Sequence, residues 1–308
     1  MESETAFQQR LETAYALAET SLEEAFGEQR TEWINRLEAK HDELVGLLQE
    51  LLERGDAEAG LHLTTLLQEL WFEPQHTAEG LDWLRRFLVL PAAQARTALR
   101  ASGLDLTGAY ALNLGDYRQA QLLEEEALGI FRECGNPEQV AYTLFHLGHL
   151  SGFVHGDYPA ARELYQEGLD VLCAGSHNEG IPHGLVNVGT ALTGMGAAAG
   201  AAPLIAESLS RYSEMGSLYK MMLSLRRAAA VAAGLGLAET SLRLAGASDR
   251  QRLALGVSEP EVFLQAYARM LEPARNQLDE ASQVRLWEEG AALSLEEAVA
   301  IALQALSH

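Results

Sequence analysis

Hydrophobic residues recur at spacings of three and four along most of the chain, with polar residues between them. In the segment 31–54, for example, Trp33, Leu37, Leu44 and Leu51 fall on one face of a helix. No stretch alternates apolar and polar residues over the length of a strand, so the pattern predicts an all-α protein. The abundance of Ala, Leu, Glu, Gln and Arg, all strong helix formers, supports the same prediction.

Glycine and proline residues divide this pattern into paired helices. Two single helices are predicted first, at about 4–26 and 31–54. The predicted pairs are 57–73 with 78–90, 94–113 with 117–134, 138–154 with 159–174, 180–194 with 199–215, and 217–234 with 237–247. A capping box of Ser294 and Glu297 predicts the start of a last helix.

The turns inside the pairs repeat at a nearly constant interval. Gly115, Gly156, Gly196 and Gly236 recur about every 40 residues, and the first two begin the same tripeptide, Gly-Asp-Tyr. Such a period is typical of stacked supersecondary units, which expose long binding surfaces. Small residues flank the turns and allow the two helices of a pair to approach closely; they are Gly108, Gly148, Gly189 and Ala229 before the turns and Ala120, Ala161 and Ala201 after them.

This arrangement resembles tetratricopeptide (TPR) repeats, which carry a small residue in the first helix, a Gly-Asp-Tyr-like turn and an Ala in the second helix. The resemblance implies an all-α, right-handed superhelix of antiparallel helix pairs, with repeats of about 40 residues. We expect an N-terminal helical cap at 1–56, TPR-like repeats at 57–249 and a C-terminal helical cap at 250–308.

Segments outside the repeats make the resemblance more specific. The stretches 32–44, 54–56 and 78–84, together with the tail from 244–247 through 286–290 to 294–299, are similar to the C-terminal sensor region of bacterial STAND-type, LuxR-like ATPase regulators. The ATPase half of such regulators needs a Gly-Lys-Ser/Thr loop, but here Lys40 follows Ala and Lys220 follows Tyr. The chain therefore resembles the sensor part without the ATPase and DNA-binding parts, which implies a role in transcription regulation and signal sensing.

The charge balance excludes several classes of partner. The net charge is −22, from 44 acidic and 22 basic residues, which argues against direct binding of nucleic acid or of an anionic membrane. We interpret the acidity as a solvated surface. No apolar run is long enough to span a bilayer. Two cysteines, Cys134 and Cys173, form no disulfide framework, so we expect reduced, partly buried thiols in a cytoplasmic protein.

Candidate chemistry is sparse. His146, His149, His155, His177 and His183 lie close together in the sequence, and His146 with His149 could share a metal ion across one helical turn. No second such pair, Cys pair or His-Glu-x-x-His motif accompanies them, and no Gly-x-Ser-x-Gly motif is present. The carboxylates at 124–126 are expected to be a solvated run. We therefore expect no enzyme, no cofactor and no metal.

The repeat register supplies better candidates, because the first helix of each TPR pair lines the concave face. The candidate groove residues are Asp105, Tyr142, Phe145, His149, His183, Asn187, Thr190, Arg226 and Arg227. Asn187 and Arg227 hold the register that contacts a peptide in carboxylate-clamp members of the family, while Val186 and Thr190 replace the Lys and Asn expected there. The alternative, that half of these residues pack between helices, stays open.

These observations favour a helical-repeat recognition module that binds a protein or peptide, or else a small effector, in its groove. We expect a monomer or homodimer. The first alternative is a scaffold that self-associates through an outer or terminal face. The second is a metal-dependent enzyme at the histidine cluster.

Overall fold

The computed structural model describes residues 4–23, 30–175 and 178–307. All regular secondary structure in these residues is helical, which confirms the all-α prediction. The α-helices are α1 (Glu4–Glu23), α2 (Arg30–Ala39), α3 (His41–Arg54), α4 (Ala57–Leu66), α5 (Gln68–Trp71), α6 (Thr77–Leu88), α7 (Ala98–Asn113), α8 (Tyr117–Cys134), α9 (Pro137–His149), α10 (Tyr158–Ala174), α11 (Ile181–Gly194), α12 (Ala198–Glu214), α13 (Leu218–Gly234), α14 (Ala238–Ala254), α15 (Glu261–Arg275), α16 (Glu280–Ala291) and α17 (Leu295–Leu306).

Two short irregular helices complete the description. A 3-10 helix spans Pro91–Gln94, and a π-helical turn, Leu150–Val154, continues α9. The helices expected at 31–54 and 57–73 are each divided in two, at Lys40 and at Leu67. The predicted end of the first helix, beyond Glu23, lies outside the described residues.

The repeated glycine turns have a clear local cause. All four glycines have positive φ angles, between 71° and 83°, which only glycine adopts without strain. After two of them, Asp116 and Asp157 accept hydrogen bonds from backbone N–H groups in the first turn of the next helix. The Gly-Asp-Tyr sequence therefore ends one helix and caps the next one.

Contacts divide the chain into two compact units, 1–136 and 137–308. The first unit holds α1–α8 around fully buried Leu48, Trp71, Phe87 and Tyr110. In α8, Glu124 is only 2% exposed, so the expectation of a solvated carboxylate run is wrong at this position. Gly108 has no side chain, and the Glu124 carboxylate lies against it.

The second unit contains the helix pairs α9/α10, α11/α12 and α13/α14. The small residues allow the expected close approach: a Cβ on Gly148 would overlap the Tyr165 ring, and one on Gly189 would lie 2.7 Å from Ile205 Cδ1. Ala161 and Ala201 are also fully buried, each in a different cluster of core residues in this unit. Pairing of helices in this unit thus depends on missing or minimal side chains.

The last three helices complete the second unit in different ways. Helix α16 packs along α14, and α17 packs on α12, α13 and α14. The predicted capping box at Ser294 and Glu297 is present at the start of α17. Helix α15 instead lies on α13 and on the π-helical turn after α9.

Both cysteines differ from the expectation. Cys134 and Cys173 are exposed rather than partly buried, because each lies in the last turn of its helix with its side chain toward solvent.

Among the described helices, none combines the length and hydropathy that crossing a membrane requires.

Candidate functional site

The first helices of the pairs in the second unit bring most of the candidate residues together. We call the surface formed by α9, the π-helical turn, α11 and α13 the first-helix face. It carries Tyr142, Phe145 and His149 from α9, His183, Asn187 and Thr190 from α11, and Arg226 and Arg227 from α13. Asp105 lies on α7 in the first unit.

Aromatic contacts connect the helices of this face. The His183 ring lies 5.6 Å from the Tyr142 ring and 5.2 Å from the Phe145 ring, measured between centroids. Phe145 is fully buried, whereas Tyr142 and His183 are half-buried. Thr190 is 3% exposed, and its hydroxyl donates to the Val186 carbonyl within α11. Phe145 and Thr190 therefore have packing roles, in agreement with the alternative that part of the set packs between helices.

Asn187 has unused hydrogen-bonding capacity. Its Oδ1 lies 3.2 Å from His149 Nε2, and its side chain is 4% exposed. Its Nδ2 finds no partner among the described residues. Turning the amide would pair Nδ2 with His149 and leave Oδ1 without a partner, so one polar atom stays unused in either orientation. A buried polar atom without a partner costs about 1–3 kcal/mol, which a ligand or water can recover.

The guanidinium of Arg227 has no carboxylate partner among the described residues. Its guanidinium carbon lies 5.1 Å from the centroid of Phe153, in the π-helical turn. Among the residues that the structure describes, no carboxylate lies within ion-pair distance of it. Burial lowers the pKa of Arg227, and the neighbouring charge of Arg226 lowers it further. The face therefore holds a partly desolvated positive charge that favours an anionic group.

Two histidines of the face, His149 and His183, are uncharged at neutral pH. Burial is the main cause that lowers the pKa of His183 to about 3, and the charges of His146, Lys220 and Arg227 add to it. Burial likewise lowers the pKa of His149 well below its usual value. Neutral imidazoles stack on aromatic rings and donate a single hydrogen bond, which suits recognition rather than charge pairing.

The histidines that lie close together in the sequence do not form one group in the structure. The rings of His146 and His149 lie 6.4 Å apart, and within the described part of the chain no group of three potential metal ligands includes His149. His155 lies in the turn before α10. His177 lies outside the described residues.

Helix α15 covers part of the first-helix face. Its Phe263 ring lies 5.9 Å from the His149 ring and 5.0 Å from the Phe153 ring. Just before α15, Glu259 pairs with Arg226 at 2.7 Å. The Arg226 guanidinium also lies 4.0 Å from the centroid of Tyr267. Helix α15 thus places Phe263 and Tyr267, four residues apart, on the face, and Glu259 just before the helix adds an acidic group.

Sequence analysis assigned α15 only to a terminal cap and missed this contact. Part of the signal was present in the sequence, because Phe263 and Tyr267 are four residues apart and so lie on one side of a helix. The half-buried aromatic and basic side chains of the face that flank this region are Tyr142, His146, His183, Tyr219 and Lys220.

No family model and no curated protein matches the sequence. The fold is similar to that of BtubC (BKLC) from P. vanneervenii, with 16% identity, a TM-score of 0.50, and coverage of 68% of this chain and 92% of that one. At such an identity the likeness concerns the fold alone. Together with the helix pairs and their glycine turns, it confirms a TPR-like helical-repeat fold.

Two structures of kinesin light chain TPR-like repeats from Podosopora anserina, one of them a single-residue variant, give TM-scores of 0.49 and 0.48, with 13% and 14% identity. Both alignments cover 64% of this chain, and they cover 97% and 94% of those chains.

Proposed function

We propose that this chain is a non-catalytic recognition module that binds a carboxylate-bearing segment of a protein or peptide on the first-helix face. The similarity of the segments 32–44 and 286–299 to STAND-type sensor regions supports a role in transcriptional or signalling regulation in the cytoplasm. Binding would control a partner to the extent that the bound segment prefers one of two arrangements of the module.

The observation that carries this proposal is that Arg227 and Asn187, on adjacent helices of the face, each have hydrogen-bonding capacity that no described residue uses. In the orientation that the structure gives the amide, the unused atom of Asn187 is the donor Nδ2. Arg227 on α13 has no carboxylate within ion-pair distance in the described residues, and Asn187 on α11 has a buried amide with an atom unused. His149 links the two, because it contacts Asn187 and its pKa is affected by the charge of Arg227. A carboxylate accepts hydrogen bonds from both donor types, and bonds to charged groups are the stronger ones.

The surroundings suit an aromatic or apolar anchor beside that carboxylate. Phe153 lies under the Arg227 guanidinium, and the half-buried rings of Tyr142 and His183 lie 5.6 Å apart on neighbouring helices. Lys220 adds a further positive charge near Tyr212, with its Nζ 5.7 Å from that ring. In a chain of net charge −22, this concentration of cationic groups favours an acidic segment at this face.

A displayed library of random peptides, selected on the untagged protein, supplies the probe. The selected peptide is resynthesised with a fluorophore, and its affinity is measured by anisotropy for the wild type, Arg227→Ala, Asn187→Ala and Tyr142→Ala. We expect acidic peptides and a loss of about tenfold or more for Arg227→Ala, because a charge-assisted hydrogen bond contributes about 1.5–3 kcal/mol.

Arg211→Ala is the matched control. Arg211 lies in the same unit, is substantially exposed, and pairs with Glu207 at 2.6 Å outside the first-helix face. Unchanged affinity in all three face variants would overturn the proposal, and so would an equal loss in Arg211→Ala. Circular dichroism on each variant confirms that the helices are intact.

A further inference from the structure

A second cluster of polar side chains lies in the first unit, where α3 and α6 begin. His41 is the first residue of α3, His76 directly precedes α6, and Glu79 lies in the first turn of α6. His41 Nε2 lies 2.8 Å from Glu79 Oε2, and His76 Nδ1 lies 3.8 Å from the same oxygen. One ligand atom from each residue lies within 4.8 Å of the others.

These distances agree with what a tetrahedral metal site requires. Zinc binds imidazole nitrogen and carboxylate oxygen at about 2.0–2.2 Å, so two ligand atoms on one ion lie about 3.3 Å apart. The two distances to Glu79 Oε2, 2.8 Å and 3.8 Å, fall on either side of that value. Small rotations of the side chains are enough to place one ion among the three residues.

The opposite nitrogen of each imidazole provides an independent observation. His41 Nδ1 lies 3.5 Å from Asp42 Oδ1, and His76 Nε2 lies 3.7 Å from Glu38 Oε1. Gln75 donates to Glu38 Oε1 at 2.9 Å and so holds that carboxylate in place. Histidine ligands of metals characteristically have a carboxylate or carbonyl at the ring nitrogen that does not bind the metal, because this fixes the tautomer and the ring orientation. Both histidines here meet that condition.

The environment is closed on one side and open on the other. Buried Trp71 lies edge-on to both imidazoles, with ring centroids 6.3 Å from His41 and 6.5 Å from His76. The side chains of His41, His76 and Glu79 are 24%, 18% and 34% exposed, so an ion and a water ligand can reach them. The ligand set of two imidazoles and one carboxylate suits Zn²⁺, whereas Ca²⁺ and Mg²⁺ prefer oxygen ligands.

We propose that His41, His76 and Glu79 form a Zn²⁺ site that connects the start of α3 to the start of α6, with a water molecule as the fourth ligand. Glu38 and Asp42 are positioning residues, since each orients a histidine without contacting the ion. The ion would bind only the folded arrangement and so would stabilise the first unit.

The untagged full-length protein is stripped with EDTA, dialysed, and titrated with Zn²⁺ in a calorimeter and with Co²⁺ in a spectrophotometer. We expect one Zn²⁺ per chain with a dissociation constant in the micromolar range or below, tetrahedral Co²⁺ absorption, and a higher melting temperature with Zn²⁺. Mg²⁺ at millimolar concentration should not compete.

The variants identify the ligands. His76→Gln and Glu79→Gln should each weaken binding about 100-fold, and Glu38→Gln about 10-fold, in the range typical of residues that orient a metal ligand. His62→Gln is the control, since His62 packs on Tyr15 at 4.7 Å in the same unit and is outside the cluster. Absence of stoichiometric binding would overturn the proposal, as would equal binding by Glu79→Gln and the wild type. If His76→Gln fails to fold, Glu79→Gln alone decides the result.

Discussion

Arg226 Nη1 lies 2.7 Å from Glu259 Oε2, and the two side chains are only 4% and 11% exposed. The pair joins α13 to the residue that precedes Pro260 at the start of α15. Together with the Tyr267 ring, 4.0 Å from the Arg226 guanidinium carbon, it holds α15 on the first-helix face. The arginine next in sequence, Arg227, has no such carboxylate among the described residues.

Glu259→Ala should destabilise the second unit strongly. The substitution leaves the Arg226 charge buried without its partner, and breaking a buried ion pair in this way costs about 3–5 kcal/mol. Urea unfolding followed by circular dichroism measures the loss of unfolding free energy, and hydrogen exchange should show faster exchange in α15.

Glu207→Ala is the control for that experiment. Glu207 pairs with Arg211 at 2.6 Å on the surface, where their side chains are 48% and 40% exposed. Exposed pairs contribute about 0–1 kcal/mol, so this variant should unfold nearly as the wild type does. Equal destabilisation by the two substitutions would contradict the burial argument.

Gly246→Ala should also destabilise the fold, through a steric clash between α14 and α16. A Cβ at Gly246 would overlap the Trp287 carbonyl, and a Cβ at Gly290 would overlap the Arg243 carbonyl, so the two backbones lie in direct contact. Backbone cannot move aside as a flexible side chain can, and we expect a loss of about 3 kcal/mol or more in unfolding free energy.

Gly200→Ala tests whether that loss comes from the contact or from the residue type. Gly200 lies in α12, and the nearest atom to an added Cβ is Leu192 Cδ1 at 3.9 Å. Alanine is a better helix former, so stability should stay unchanged or rise by up to about 1 kcal/mol. A substantial loss at Gly200 would show that the second unit tolerates no change of this kind.

Local sequence signals were enough to predict the helix pairs and their turns. Gly115 and Gly156 adopt positive φ, and Asp116 and Asp157 cap the following helices, because each of these preferences acts within a few residues. The period of about 40 residues and the small residues around the turns then predicted that the two helices of each pair pack closely.

Contacts between distant segments were not predictable in the same way. His41 and Glu79 are 38 residues apart and come together only because α3 packs on α6. Phe263 reaches His149 across an even longer stretch of chain, and its position on the first-helix face depends on the buried Arg226–Glu259 pair. The helical spacing of Phe263 and Tyr267 is visible in the sequence, but the helix on which they pack is not, so neither contact was predicted.

The second Gly-Asp-Tyr turn can be used to test whether the aspartate cap stabilises the helix that follows. Asp157 Oδ1 accepts a hydrogen bond from Ala160 N at 3.0 Å, at the start of α10. Asp157→Ala should lower the unfolding free energy by about 1 kcal/mol, and Asp157→Asn by much less, because Asn caps helices about as well. Thermal unfolding distinguishes the two variants, and an equal loss would mean that the carboxylate charge, not the cap, stabilises this turn.

Acid should destabilise the second unit through its buried neutral histidines. His183 in the unfolded chain takes up a proton below a pKa of about 6.5, whereas in the folded protein burial lowers its pKa to about 3. Between these values the unfolded state binds the extra proton. Stability is therefore complete above about pH 6.5 and falls by about 1.4 kcal/mol per pH unit for this histidine as the pH decreases. The lowered pKa of His149 adds a loss of the same sign.

Urea unfolding between pH 7 and pH 5 measures this loss in a range where carboxylates with ordinary pKa values remain ionised. His183→Gln removes the titrating group and keeps a polar side chain beside Tyr142 and Phe145. Below pH 6.5, the unfolding free energy of this variant should change by about 1.4 kcal/mol less per pH unit than that of the wild type. Burial is the main cause that opposes protonation of His183 in the folded state, and the charges of His146, Lys220 and Arg227 add to it. Parallel pH profiles for the wild type and His183→Gln would contradict the prediction and place the titrating group elsewhere.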